Sequence, residues 1–140
     1  ARGEAGYRQN TRDFAQLIWH QASPGWAFSE AEFAQSAKAL INPDHVAVTI
    51  SNYRWRLGID KGEQKYAAYE QKLALLPTIA VPTITLEGDN NGAPHPTPES
   101  YRAKFSGKYE HRTLTGNIGH NLPQEDPADF VKAVVDADRL

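Results

Sequence analysis

Two short stretches hold the residues best suited to chemistry: "TITLEGDNNG", from Thr83, and "GNIGH", ending at His120. Asp89 offers a carboxylate and His120 an imidazole whose ordinary pKa lies near neutrality. A carboxylate beside an imidazole fixes its tautomer and stabilises the imidazolium, as a general base for a nucleophile requires. Gly116 and Gly119 permit tight backbone turns that project the His120 side chain into a cleft. The same residues also have ordinary uses. Asp89 and Asn90 are common turn formers, and His120 can cap a helix or face water.

Other chemistries find less support. The five histidines show no H-x-H or H-E-x-x-H spacing, so no metal site is expected. No Gly-rich phosphate loop occurs, and no cofactor is expected. Thiolate chemistry and disulfides are excluded, because the chain has no cysteine. A formal net charge of −2 argues against a nucleic-acid or anionic-membrane surface, and Arg54 and Arg56 flank Trp55 on different helix faces. No apolar run approaches the roughly 18 to 20 residues of a membrane span. Trp26, Tyr53 and Trp55, with Trp19, could line an apolar substrate pocket, or could pack the helices that carry them. The chain has no methionine and starts at "ARGEAGYRQN" without a recognisable signal peptide. The expectation is a processed product or a piece of a longer protein, in a cytoplasmic setting.

The elements that must position these residues divide at about residue 75. Before it, the periodicity predicts helices over 8–22, with Phe14, Leu17 and Ile18 on one face, and from Ser29, where S-E-A-E is a capping box ahead of Phe33, Ala37 and Leu40. A third helix is expected over 44–57, with Asn42 as N-cap, Pro43 at its first position and Gly58 as its stop; the β-branched residues Val46, Val48, Thr49 and Ile50 make a strand the alternative. A fourth is expected over 63–76. After residue 75 the pattern is strand (83–87), short helix (97–105), strand (109–116), and a terminal helix capped by Asp126 with Phe130, Val131, Val134 and Val135 on one face. Right-handed crossovers make these strands parallel, so the Asp89 and His120 loops open on one sheet edge, where sites sit in open α/β sheets.

The run "VPTITLEGD", a helix, then "EHRTLTGNIGHNLPQEDPADFVKAVVDA" resembles the C-terminal part of an α/β-hydrolase, with a G-x-G-H-type histidine loop before the final helix. The resemblance covers roughly Ile79 to Ala137, and residues 1–75 look like the helical lid (cap) that such enzymes insert ahead of those strands. The implied fold is α/β: a helical lid (1–75) followed by the last β-α-β-α portion of an α/β-hydrolase sheet (76–140). The branch it is most similar to contains haloalkane dehalogenases, epoxide hydrolases, cofactor-free haloperoxidases and related esterases. The resemblance implies His120 as general base, Asp89 as orienting acid, and Trp26, Tyr53 and Trp55 as substrate-binding residues. It implies hydrolysis of a small, apolar ester, epoxide or haloalkane without a cofactor. Two departures qualify it. The G-x-x-D position of the acid falls on Asn91, so the acid is Asp89 or comes from another strand. No serine has the flanking glycines of a G-x-S-x-G nucleophile elbow, and the strand that would carry an elbow is missing. The nucleophile is then expected from an N-terminal portion of the same hydrolase, and a self-associated copy is the other expected partner; the competing expectation is a non-catalytic binding module of the same fold.

Overall fold

Pro82 and the "GDNNG" turn bound an apolar run that forms β1 (Thr83–Gly88). In the computed structural model, which describes residues 2–140, β1 pairs in parallel with β2 (Tyr109–Leu114). The register runs from Thr83 opposite Tyr109 to Gly88 opposite Leu114, and a parallel bridge between Ile79 and Phe105 precedes it. A parallel pair needs a crossover. It is supplied by α6 (Pro98–Tyr101), with Pro98 at a helix start where its missing N–H costs nothing, and a 3₁₀ turn over Arg102–Lys104. Both strands therefore end on one edge, and the Asp89 and His120 loops leave from it.

The described residues form two compact units: residues up to Ile18 with Ala27–Ala74, and Trp19–Trp26 with Leu75–Leu140. The second unit holds the sheet and is mixed α/β. After β2 come a one-turn helix, α7 (Leu122–Glu125), and α8 (Pro127–Ala137), whose cap Asp126 accepts from the Asp129 amide at 3.1 Å. A cleft of about 260 Å³ between β1 and α8 is lined by Ile84, Leu86, Phe130, Ala133, Val134 and Ala137. Ala133 and Leu114 are buried. Val131, Val134 and Val135, expected to be covered, stand exposed, because two strands cover only one stripe of the helix.

The first unit is helical. The expected helix over 8–22 is two, α1 (Arg2–Gln9) and α2 (Thr11–Ala22), with the break at Asn10, whose side chain bonds back to the Gly6 carbonyl. Ser29 caps α3 (Glu30–Leu40) by accepting from the Glu32 amide. Asn42 does not cap α4 (His45–Arg56); its Oδ1 accepts from the Asp44 amide in a local turn, and Asp44 takes the N-cap position. Residues 45–56 are helical despite their β-branched cluster, since tertiary packing overrides propensity. Val46 joins Phe33 and Ala37 in the core of this unit. The fourth helix shortens to a 3₁₀ turn at Gln64–Tyr66 and α5 (Ala67–Ala74). Among the described residues no helix is long and apolar enough to cross a membrane.

Candidate functional site

Gly88 ends β1 where the backbone of the His120 loop comes closest. A Cβ there would run into the carbonyl oxygens of Ile118 and Gly119, so only glycine fits. The Asp89 amide extends the ladder to the Leu114 carbonyl at 3.0 Å, and the Asn90 amide bonds the Ile118 carbonyl at 2.8 Å. These bonds stitch the two loops together at the C-terminal edge of the strands.

Asp89 lies at the His120 loop and binds its backbone. One carboxylate oxygen accepts from the Gly116 amide at 2.9 Å and the Asn117 amide at 3.3 Å; the other accepts from the Ile118 amide at 2.8 Å. Gly116 (φ 117°) and Asn117 (φ 72°) adopt left-handed conformations, and that curl turns successive N–H groups toward one anion. The amide of Gly116, then that of Ile118, hold the Asp89 carboxyl below the usual carboxylate range.

The His120 ring meets Asn91 instead. Its Nδ1 lies 3.1 Å from Asn91 Oδ1. Among the described residues no carboxylate accepts from that ring. The orientation of the Asn91 amide is fixed from two sides: Nδ2 donates to Glu87 Oε1 at 2.6 Å, and Oδ1 accepts from the Ala93 amide at 3.0 Å. An oxygen facing Nδ1 can only accept, so the neutral imidazole carries its hydrogen on Nδ1. Nε2 is left with its lone pair, on an exposed side chain.

A second cluster holds the turn that carries His120. Ser23, fully buried, donates from its hydroxyl to Glu125 Oε1 at 2.6 Å and accepts from the His120 amide at 2.8 Å. Glu125 also accepts from the amides of Gly119 at 2.7 Å and Asn121 at 2.9 Å. Gly119 packs so tightly on Ser23 that a Cβ would overlap the serine Cα. The Gly92 amide bonds the Ala22 carbonyl at 2.9 Å, fastening the same "ASPG" segment to the Asn91 loop.

Spacing alone hides Ser23 and Glu87; Asn91 has a signal, its place in G-x-x-D, and Glu125 falls within the histidine segment. Trp26 stacks on Trp19 with ring centroids 4.9 Å apart. Tyr53 and Trp55 belong to the helical unit. Tyr53 is exposed, with the Arg56 guanidinium 5.9 Å from its ring centroid. Trp55 lines an open cleft of about 560 Å³ with Val48, Tyr66 and Glu70. Among the described residues no group of three His, Asp or Glu side chains could hold a metal ion.

Comparison with known proteins bears on what this arrangement serves. All of this chain superposes, at 76% identity and a TM-score of 0.98, on part of a crystal structure of a putative epoxide hydrolase from Klebsiella pneumoniae subsp. pneumoniae. The match covers 46% of that protein. This chain thus spans about half the length of the epoxide hydrolase-like protein it matches. No protein-family model matches the chain, and no curated protein matches it.

Proposed function

We propose that this chain is the lid and C-terminal portion of an α/β-hydrolase that opens a small apolar epoxide, with His120 as its general base. The observation that carries the reading is the 76% identity, along the whole chain, to a putative epoxide hydrolase. The open Nε2 of His120, on a loop at the C-terminal edge of parallel strands, supplies the chemistry. The nucleophile comes from an N-terminal portion of the same hydrolase, an Asp for an epoxide and a Ser only if the substrate is an ester. The aspartate attacks an epoxide carbon, the C–O bond breaks and its oxygen takes a proton from solvent; Nε2 then takes a proton from the water that hydrolyses the resulting ester. Haloalkanes, which share the aspartate route, and esters, which use a serine acyl-enzyme, are the neighbouring substrate classes.

Asp89 contributes by holding the amides of residues 116–118, and the acid that stabilises the imidazolium comes from another strand. Trp26 in the sheet unit and, separately, Tyr53 and Trp55 in the helical unit are the aromatic residues assigned to substrate binding. The N-terminal portion also covers the exposed valines of α8 and the cleft between α8 and β1; a self-associated copy is the alternative cover.

The test is hydrolysis of small epoxides at neutral pH by the chain produced with its N-terminal portion. His120→Ala is expected to abolish turnover, and Asp89→Asn to lower folded yield more than the rate per folded molecule. A His120→Ala protein with the unaltered rate would reject the assignment.

A further inference from the structure

Glu87 stands one residue before the end of β1, half-buried, with its carboxylate 2.6 Å from the Asn91 amide nitrogen. We propose that Glu87 is a positioning residue that sets the tautomer of His120 through the Asn91 amide. The inference rests on the reading of His120 as the general base.

An ionised carboxylate only accepts hydrogen bonds, so Glu87 draws the NH₂ end of Asn91 to itself and turns the oxygen toward the ring. With the amide reversed, an oxygen would face the carboxylate and an NH₂ group would face Nδ1. The oxygen would then face the carboxylate unfavourably, and the NH₂ group would favour a lone pair on Nδ1 with the hydrogen on Nε2. Glu87 thus selects the amide orientation that requires a hydrogen on Nδ1, and keeps Nε2 free to take a proton. When Nε2 takes that proton, the Nδ1–H bond to Asn91 becomes charge-assisted, and the carboxylate behind the amide polarises it in the favourable direction.

The arrangement also accounts for Asn91 where the family pattern has Asp. An aspartate at this position would bring a second carboxylate to hydrogen-bond distance of Glu87, and like charges so close disfavour the ionised pair. The amide accepts from the imidazole on one side and donates to the carboxylate on the other. The Ala93 amide, 3.0 Å from Asn91 Oδ1, supports the same orientation independently, so loss of Glu87 shifts a population and does not invert it.

The experiment labels the full chain with ¹⁵N-histidine and reads the protonation of each ring nitrogen by long-range ¹H–¹⁵N correlation, with His120→Gln identifying the signals. The unaltered protein is expected to show the Nδ1–H form. Glu87→Ala is expected to lower the ratio of Nδ1–H to Nε2–H by about fivefold, the effect of one net hydrogen bond. Glu87→Gln, whose Oε1 can still accept from Asn91, should restore the original ratio. Asn91→Ala removes the relay without touching Glu87 and should lower the ratio in the same direction. An unchanged ratio in a folded Glu87→Ala or Asn91→Ala protein overturns the proposal. The readout needs no turnover, so the two ideas fail separately. If His120→Ala retains full activity, the base assignment falls and a shifted tautomer still supports the relay. If His120→Ala is inactive but the ratio never moves, the relay alone falls.

Discussion

Replacing Ser23 by alanine tests how the His120 turn is held. The hydroxyl is fully buried and makes a 2.6 Å bond to the Glu125 carboxylate while accepting from the His120 amide at 2.8 Å. Loss of a hydrogen bond to a charged group costs about 1.5–3 kcal/mol, and stranding a backbone amide adds about 1–3 kcal/mol. Part is recovered, because Glu125 keeps the amides of Gly119 and Asn121. The net loss should be about 2–4 kcal/mol of unfolding free energy, read by urea denaturation at an unchanged slope. Ser100→Ala is the control: its hydroxyl bonds the Thr97 carbonyl on an exposed turn, and its loss should cost no more than about 0.5 kcal/mol. A double-mutant cycle with Glu125→Gln should give a coupling of about 0.5–3 kcal/mol. If Ser23→Ala costs no more than Ser100→Ala, the reasoning that Ser23 organises this turn is refuted.

Gly88→Ala should destabilise by about 1–3 kcal/mol or prevent folding, because its Cβ meets backbone oxygens that cannot rotate away; a soluble protein of unaltered stability would show that the loop yields. Asp89 has a lowered pKa in the folded state, so its stabilisation is in place above the unfolded value of about 3.9 and is lost as pH falls through the folded value. The stability gap between the unaltered protein and Asp89→Asn should therefore be widest at neutral pH and close in acid; a gap that is constant with pH contradicts the anchoring role. Asn91→Asp should reduce stability at neutral pH by placing a carboxylate against Glu87, and adding Glu87→Gln should recover it. Denaturation midpoints of the single and double variants measure both.

The strands at 83–88 and 109–114 were legible because Pro and Gly bound short apolar runs, and the intervening helix implied their parallel pairing. The two loops that meet at the sheet edge followed from that topology. What each side chain does there was less legible. Asp89 and Asn91 are two residues apart, and pattern alone cannot decide which faces the ring and which the backbone. The left-handed pair Gly116–Asn117 decides it by turning three amides to Asp89. Ser23 lay beyond reach for another reason. In sequence "SPGW" reads as the end of a helix, and nothing local announces a partner at Glu125, 102 residues away. Asn10 and Asn42 mark a different limit, since both bond nearby backbone groups: Asn10 breaks the helix that periodicity ran through it, and Asn42 forms a local turn in place of the N-cap expected of it.

The most direct measurement of the central claim is hydrolysis of a small epoxide by the chain produced with its N-terminal portion, with and without His120→Ala, followed by intact-mass analysis of the protein. A general base contributes about 10²–10⁴ in rate, so turnover should fall by at least that factor. A covalent ester on the aspartate nucleophile should accumulate in the variant, because the water of the second step lacks its base. Turnover by His120→Ala at the unaltered rate would contradict the account.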